Sequence, residues 1–358
     1  MFNFLVPIII LSALIIVHEF GHFIVARRVG VKVEKFSLGF GPKLFSIKRG
    51  DTLYQLCAIP LGGYIKMAGD EYGEYKGAKD EYLAQKPENR AKIIVAGAGL
   101  NYLLGFVFFS FALLLGIPDS TTRVGEVVPG YPAFDAGILP KDKIIAVDGK
   151  KVEFWIEMVG LIHGKKGAKV NIALSRADKL IELEMPTKLE AIETTGGRRE
   201  ISLIGIKQGR LKYGLKDAFV VGIKDYLKTT LFYYKTLGLM FSGRISFKRS
   251  VAGPIGIYYI TTGAATAGLG PLLYVLAILS LSLSVINLLP FPVLDGGHLA
   301  FIALEKIRGK ALNRNTEELI TRAGMSLLIA LALFTIYNDM VNFSILDNFL
   351  NWIKAFKR

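Results

Sequence analysis

His18, Glu19 and His22 stand in the order His-Glu-Phe-Gly-His. On a helix, residues four apart differ by about 40° in heading, so His18 and His22 share one face. Two imidazoles placed this way can hold one Zn²⁺, and Glu19 can reach a metal-bound water and take its proton. A hydrolytic zinc needs a third protein ligand and one open position. The chain has four histidines, His18, His22, His163 and His298, and none follows His22 closely. The third ligand must therefore be His163, His298 or an acidic side chain. Asp295 stands out in Leu294-Asp295-Gly296-Gly297, just after Pro290 and Pro292. Its carboxylate could face the two imidazoles, or it could cap the helix that follows. The residues alone leave these two readings equal. His298 is a further candidate ligand or neighbour of one, and His163, in a polar stretch, reads as exposed surface.

The elements that must carry these residues are mostly apolar. The first, residues 1–27, is long enough to cross a bilayer. Its basic residues, Arg27 and Arg28, come at its C-terminal end, which is the wrong flank for a cleaved leader, so it reads as a permanent helix. Two histidines and a carboxylate inside such a span point to function. A second span, 93–117, opens on Ala96-Gly97-Ala98-Gly99, small residues that permit close helix approach, and contains Asn101. The third span, 269–297, is broken near its end by the two prolines. The fourth covers 323–343, with a tail over 344–358. Between the spans, residues 28–92 are mixed and Gly-rich, with strands expected around a Gly62-Gly63 turn. Residues 118–210 alternate short β-branched runs with turn signals, as in one small β-rich domain. Residues 211–268 carry Lys212, Lys216, Lys224, Lys228 and Lys235 among apolar residues. They read as an amphipathic segment on the membrane surface, or as a helix packed on the preceding domain. Residues 298–322 read as a basic loop.

Composition sets the class. Of 358 residues, 52% are apolar and 21% charged, which excludes a disordered chain and argues against an ordinary soluble enzyme. The mean hydropathy is +0.41. A single cysteine, Cys57, excludes an intramolecular disulfide or a cysteine-built metal cluster. The net charge of +14 fits positive-inside topology and contact with anionic lipid, so no nucleic-acid partner is expected. The same rule puts the 28–92 and 298–322 segments in the cytoplasm, and both termini and the 118–268 region outside.

Two motifs together carry a family resemblance: His18–His22 in a first span, and Asn287-Leu288-Leu289-Pro290-Phe291-Pro292-Val293-Leu294-Asp295-Gly296-Gly297 near the end of a later one. The chain resembles the site-2 protease family of intramembrane zinc metalloproteases, in its bacterial RseP/RasP-type branch. Pro132-Ala133, Ala136-Gly137-Ile138-Leu139, Asp142-Lys143-Ile144-Ile145 and Val147-Asp148-Gly149 are similar to that branch's PDZ core. Pro60-Leu61-Gly62-Gly63-Tyr64-Ile65-Lys66-Met67 resembles its membrane-associated β-loop, and Ala252-Gly253-Pro254-Ile255-Gly256 its segment before the third span. The length allows one PDZ module where some members carry two.

The resemblance implies a polytopic membrane protein of four transmembrane helices, with a cytoplasmic membrane-associated β-rich loop and an inserted extracytoplasmic PDZ-like domain. It implies His18, His22 and Asp295 as Zn²⁺ ligands, Glu19 as catalytic base, and substrate contacts at Asn287, Gly62, Gly63 and Tyr64. The implied substrates are single-span membrane proteins, such as anti-sigma factors or remnant signal peptides, cut within the bilayer of a bacterial plasma membrane, with a peptide at the PDZ groove. Two other classes stand beside this reading. A non-catalytic PDZ adaptor with a structural zinc would not need Glu19. A transporter would show inverted repeats, and none is evident.

Overall fold

In a computed structural model of the chain, residues 5–194, 197–246, 248 and 251–342 are described. In chain order the elements are α1 (Leu5–Arg28), β1 (Val33–Arg49), β2 (Thr52–Met67), α2 (Pro87–Leu115), β3 (Ile117–Pro118), β4 (Val124–Val127), α3 (Pro132–Asp135), β5 (Lys143–Val147), β6 (Lys150–Lys151) and α4 (Trp155–His163). Next come β7 (Val170–Arg176), β8 (Lys179–Met185), β9 (Lys188–Thr194), β10 (Gly197–Leu203), β11 (Ile206–Gln208) and β12 (Arg210–Leu211). The last elements are α5 (Leu215–Phe241), α6 (Pro254–Ala267), α7 (Leu269–Asn287), α8 (Asp295–Arg308) and α9 (Arg314–Asn342). They form two compact units, residues 1–112 with 216–340 and residues 113–215 with 341–358. The expected tail over 344–358 lies outside the described residues.

Four helices in this set are long and apolar enough to cross a membrane: Pro7–Arg28, Pro87–Leu115, Leu269–Asn287 and Arg314–Val341. The chain is a polytopic membrane protein. Three boundaries differ from the sequence reading. α2 starts at Pro87, because proline suits a first helical position, where no N–H bond is needed. α9 starts at Arg314, where the Asn313 side chain accepts the Asn315 N–H and Glu318 pairs with Arg314 and Arg322. The segment expected as a loop from 298 is helical to Arg308. Its Lys306 and Arg308 sit in the last turn, where cations complement the helix dipole, and Gly309 ends it at φ +69°.

In the first unit, β1 and β2 form a folded-over antiparallel hairpin in which the first half of β1 also lies between the two halves of β2, parallel to the first and antiparallel to the second. Phe36 opposes Ile65 and Tyr54, and Ser37 opposes Tyr64 and Gln55. Among the described residues, 63–67 pair on one side only and so form an edge. The expected turn around Gly62-Gly63 falls at a real reversal: Tyr54, Gln55 and Leu56 run parallel to Phe36, Ser37 and Leu38, and Gly63, Tyr64 and Ile65 run antiparallel to them. The chain reverses once at Gly50 and Asp51 and doubles back again between Leu56 and Gly63, at a register shift that the pair closes. Gly62 has φ +102°, and a methyl group at Gly63 would lie 2.4 Å from the Ser37 carbonyl. These glycines serve a bulge and a close approach. α5 packs along α2. The buried Tyr226 donates to the Tyr102 carbonyl, and its ring meets Phe106 and Phe109.

In the second unit, an antiparallel sheet of order β6-β5-β7-β8 closes over α4 and a core that includes Ile144, Met158, Ile172 and Leu174. Asp148 and Gly149 have φ +48° and +73°, the signs a two-residue hairpin turn needs. β3 pairs with β12, so the chain enters and leaves the unit side by side.

Candidate metal centre

The histidine pair comes from local geometry. Both rings are buried on one face of α1, with their Nε2 atoms 3.2 Å apart. His22 Nδ1 lies 2.8 Å from the Ile93 carbonyl, which can only accept, so Nδ1 carries the proton and Nε2 keeps its lone pair. α2 stands close because it presents glycine. A methyl group at Gly97 would lie 2.4 Å from His22 Nε2, and one at Gly21 would lie 2.3 Å from the Ala96 carbonyl.

Asp295 arrives from 273 residues beyond His22 in sequence. Its Oδ2 is 3.1 Å from His18 Nε2 and 3.5 Å from His22 Nε2. It is the first residue of α8, and the capping position belongs to Leu294, whose side chain makes no cap bond. The carboxylate therefore faces the imidazoles rather than capping its own helix. The chain reaches this position through a tight fold after α7. Methyl groups at Gly296 and Gly297 would lie 2.1 Å from the Leu289 carbonyl and 2.3 Å from the Phe291 carbonyl. Val293 has φ +85°, a conformation rare for a β-branched residue and worth about 1–3 kcal/mol of strain held by its surroundings.

The three donor atoms fit zinc. Ligands at 2.0–2.1 Å in a tetrahedron stand about 3.3 Å apart, and these stand 3.1, 3.2 and 3.5 Å apart. Among the described residues, no hydrogen-bond donor is aimed at the buried Oδ2 of Asp295. Its lone pairs and that of His22 Nε2 share one space, which suits a cation. Two neutral nitrogens, one carboxylate oxygen and an open fourth side form a catalytic type of donor set.

That open side is a cavity of about 460 Å³. Glu19 and Asn287 line it, with Ile65 and Met67 from the sheet edge, and the Ile65 amide faces the Glu19 carboxylate. Gly62, Gly63 and Tyr64 do not line it. Side chains alternate along a strand, so Gly63, Ile65 and Met67 share one face while Tyr64 points away, to Gln55 and Phe40. His298 stands outside the donor triad, in the wall between this cavity and a larger polar one of about 790 Å³. His163 is half-buried at the end of α4, in the other unit.

A family model described as peptidase family M50 matches residues 6–331. The chain belongs to that family. M50 is the site-2 protease type, and the chain is a zinc metalloendopeptidase. An Agrobacterium fabrum protein named as a zinc metalloprotease is 33% identical, over 94% of this chain and 96% of its own length. Zinc metalloprotease RasP of Geobacillus kaustophilus is 29% identical, over 94% and 97%. The solved PDZ domain of an SdrC-like protein from Listeria monocytogenes is 28% identical over 26% of this chain and 90% of its own, with a TM-score of 0.20. Sequence reading named Gly97 for close helix approach, Asn101 within the second span, and Ile65 and Met67 within the 60–67 motif, but gave none of them a place at the site. Strand alternation from Gly63 would have marked the last two.

Proposed function

We propose that this M50 peptidase cuts peptide bonds inside the transmembrane segments of single-span membrane proteins. His18, His22 and Asp295 would hold the zinc, and Glu19 would be the base. The observation that carries this reading is the convergence of three metal-type donor atoms and one carboxylate on a single cavity among apolar helices. Bound zinc supplies a water of lowered pKa and polarises the scissile carbonyl. Glu19, whose carboxylate lines the same cavity, would serve as the general base and would carry a proton to the leaving amine. A transmembrane helix hides its carbonyls in internal hydrogen bonds, so it must unwind before attack. The free edge at 63–67 offers main-chain partners to an unwound strand, which is β-augmentation next to Glu19. Gly62 and Gly63 let that edge take its path, the Tyr64 main chain contributes to it, and Asn287 positions the substrate backbone. The polar cavity beyond His298 supplies a route for water.

The setting follows the same reading. The chain lies in a bacterial plasma membrane, with the sheet and the α8–α9 connection cytoplasmic and both termini outside. The second unit acts as a PDZ-like module that takes a peptide end and admits shortened substrates. Anti-sigma factors and remnant signal peptides are substrates of the right form.

The test is reconstitution with a single-span substrate, with and without chelator. Cleavage that needs metal and falls about 10²–10⁴-fold in Glu19→Gln, with zinc retained, supports the reading. A Glu19→Gln protein that still cleaves at the original rate overturns it. Under the adaptor alternative, peptide binding persists and neither protein cleaves.

A further inference from the structure

Asn101 lies on α2 one turn beyond Gly97, on the same helix face. It is 0% exposed, and among the described residues neither its Oδ1 nor its Nδ2 has a hydrogen-bond partner. Its main-chain carbonyl accepts a bond from Ser280 Oγ at 2.7 Å. A buried carboxamide left unmet on both atoms is unfavourable, and such groups call for an explanation. The position supplies one, because Asn101 is part of the wall of the cavity that holds His18, Glu19, His22 and Asp295.

The spacing sets what it can reach. Gly97 abuts His22 Nε2. Four residues of helix advance about 6 Å, and two residues of extended peptide cover about the same distance. A helix unwound in lipid frees N–H and C=O groups that have no water to meet them. The sheet edge at 63–67 can satisfy one side of such a strand, and the other side needs donors and acceptors from elsewhere. A carboxamide offers both at once, and being uncharged it does not compete for the metal.

We propose that Asn101 binds the substrate main chain about two residues from the scissile bond, Nδ2 donating to a peptide carbonyl and Oδ1 accepting a peptide N–H. It clasps the unwound stretch on the α2 side while β2 holds the opposite side. This rests on the reading of the cavity as the site of hydrolysis.

The test uses the full-length zinc-loaded protein and Asn101→Leu, which keeps the volume and removes both polar groups. An unmet amide contributes nothing to the free enzyme, so zinc content and melting temperature stay equal or rise. kcat/KM on a single-span substrate falls at least tenfold. Affinity for a peptidyl hydroxamate falls by a similar factor, while affinity for acetohydroxamate, which reaches only the metal, is unchanged. Asn101→Ala, as a second variant, gives the same split. Unchanged kcat/KM overturns the proposal. So does a drop in melting temperature with loss of acetohydroxamate binding, the mark of a structural residue. A wild-type protein that holds no zinc and cleaves nothing removes the underlying reading as well, and that result is distinct from the other two.

Discussion

Gly97 on α2 and His22 on α1 touch at the atom that matters: a methyl group on Gly97 would lie 2.4 Å from Nε2 and 2.9 Å from the His18 ring. Neither helix can step back freely, since Gly21 abuts Ala96 and the Ile93 carbonyl holds the other side of the His22 ring. Gly97→Ala must therefore displace the imidazoles. The expected result is a 10- to 100-fold loss of zinc affinity, by analogy with removing a ligand-orienting contact, with cleavage falling in parallel. Competition with a chelator measures it. Wild-type affinity in Gly97→Ala would show that the helices separate without cost.

Asp295 differs from an ordinary first-turn acid because its carboxylate meets two imidazole nitrogens and no N–H donor. Asp295→Asn keeps the shape and removes the charge. Folding should change by less than about 1 kcal/mol, the usual worth of one charge at a helix N-terminus. Zinc stoichiometry should fall well below one per chain, and activity with it. Metal analysis beside a thermal melt separates the two effects. Full zinc occupancy in Asp295→Asn would assign the third ligand elsewhere.

These two residues also show what a sequence can disclose. His18 and His22 were legible because four residues on one helix fix their own geometry. Asp295 was legible as a candidate, but its choice between cap and ligand depended on a contact with His18 and His22, far away in sequence, which no local pattern encodes. α8 was hidden because its charged last turn resembles a loop. Gly62 and Gly63 were legible as a turn signal, and β2 does double back there, but the close approach of Gly63 to the Ser37 carbonyl shows only once the strands have paired. Asn101 stood in plain view inside a span, yet its lack of a partner exists only once α7 has packed against it.

Ser12 ties the first span to the sheet edge. Its Oγ donates to the Pro60 carbonyl and accepts the Gly62 N–H at 3.2 Å, one and a half turns before His18. Ser12→Ala leaves both main-chain groups unmet in buried surroundings, at about 1–3 kcal/mol. The metal ligands are untouched, so zinc content should hold. Amide exchange across residues 62–67 should quicken, and kcat/KM should fall about tenfold if that edge aligns substrate. Slow exchange in Ser12→Ala would mean that the β1 pairing alone fixes the edge.

Asp142 links the pH response of the second unit to one carboxylate. Burial works against its charged form, but Arg176, whose Nε and Nη2 bond its two oxygens at 2.8 and 2.7 Å, and the Leu139 N–H outweigh burial and hold its carboxyl below the ordinary range. A group depressed on folding stabilises the fold above its unfolded pKa, about 3.9. That stability drains as pH falls from there through the folded value. Exchange protection of β5 and β7 in the full chain should be steady from pH 7 to about 5 and drop below about 4. Asp142→Asn should remove about 1–2 kcal/mol at pH 7, less than a fully buried pair, because the Arg176 side chain is 34% exposed. It should also flatten the acid limb. An acid limb of the same depth in Asp142→Asn would place the titrating group on another carboxylate of the unit.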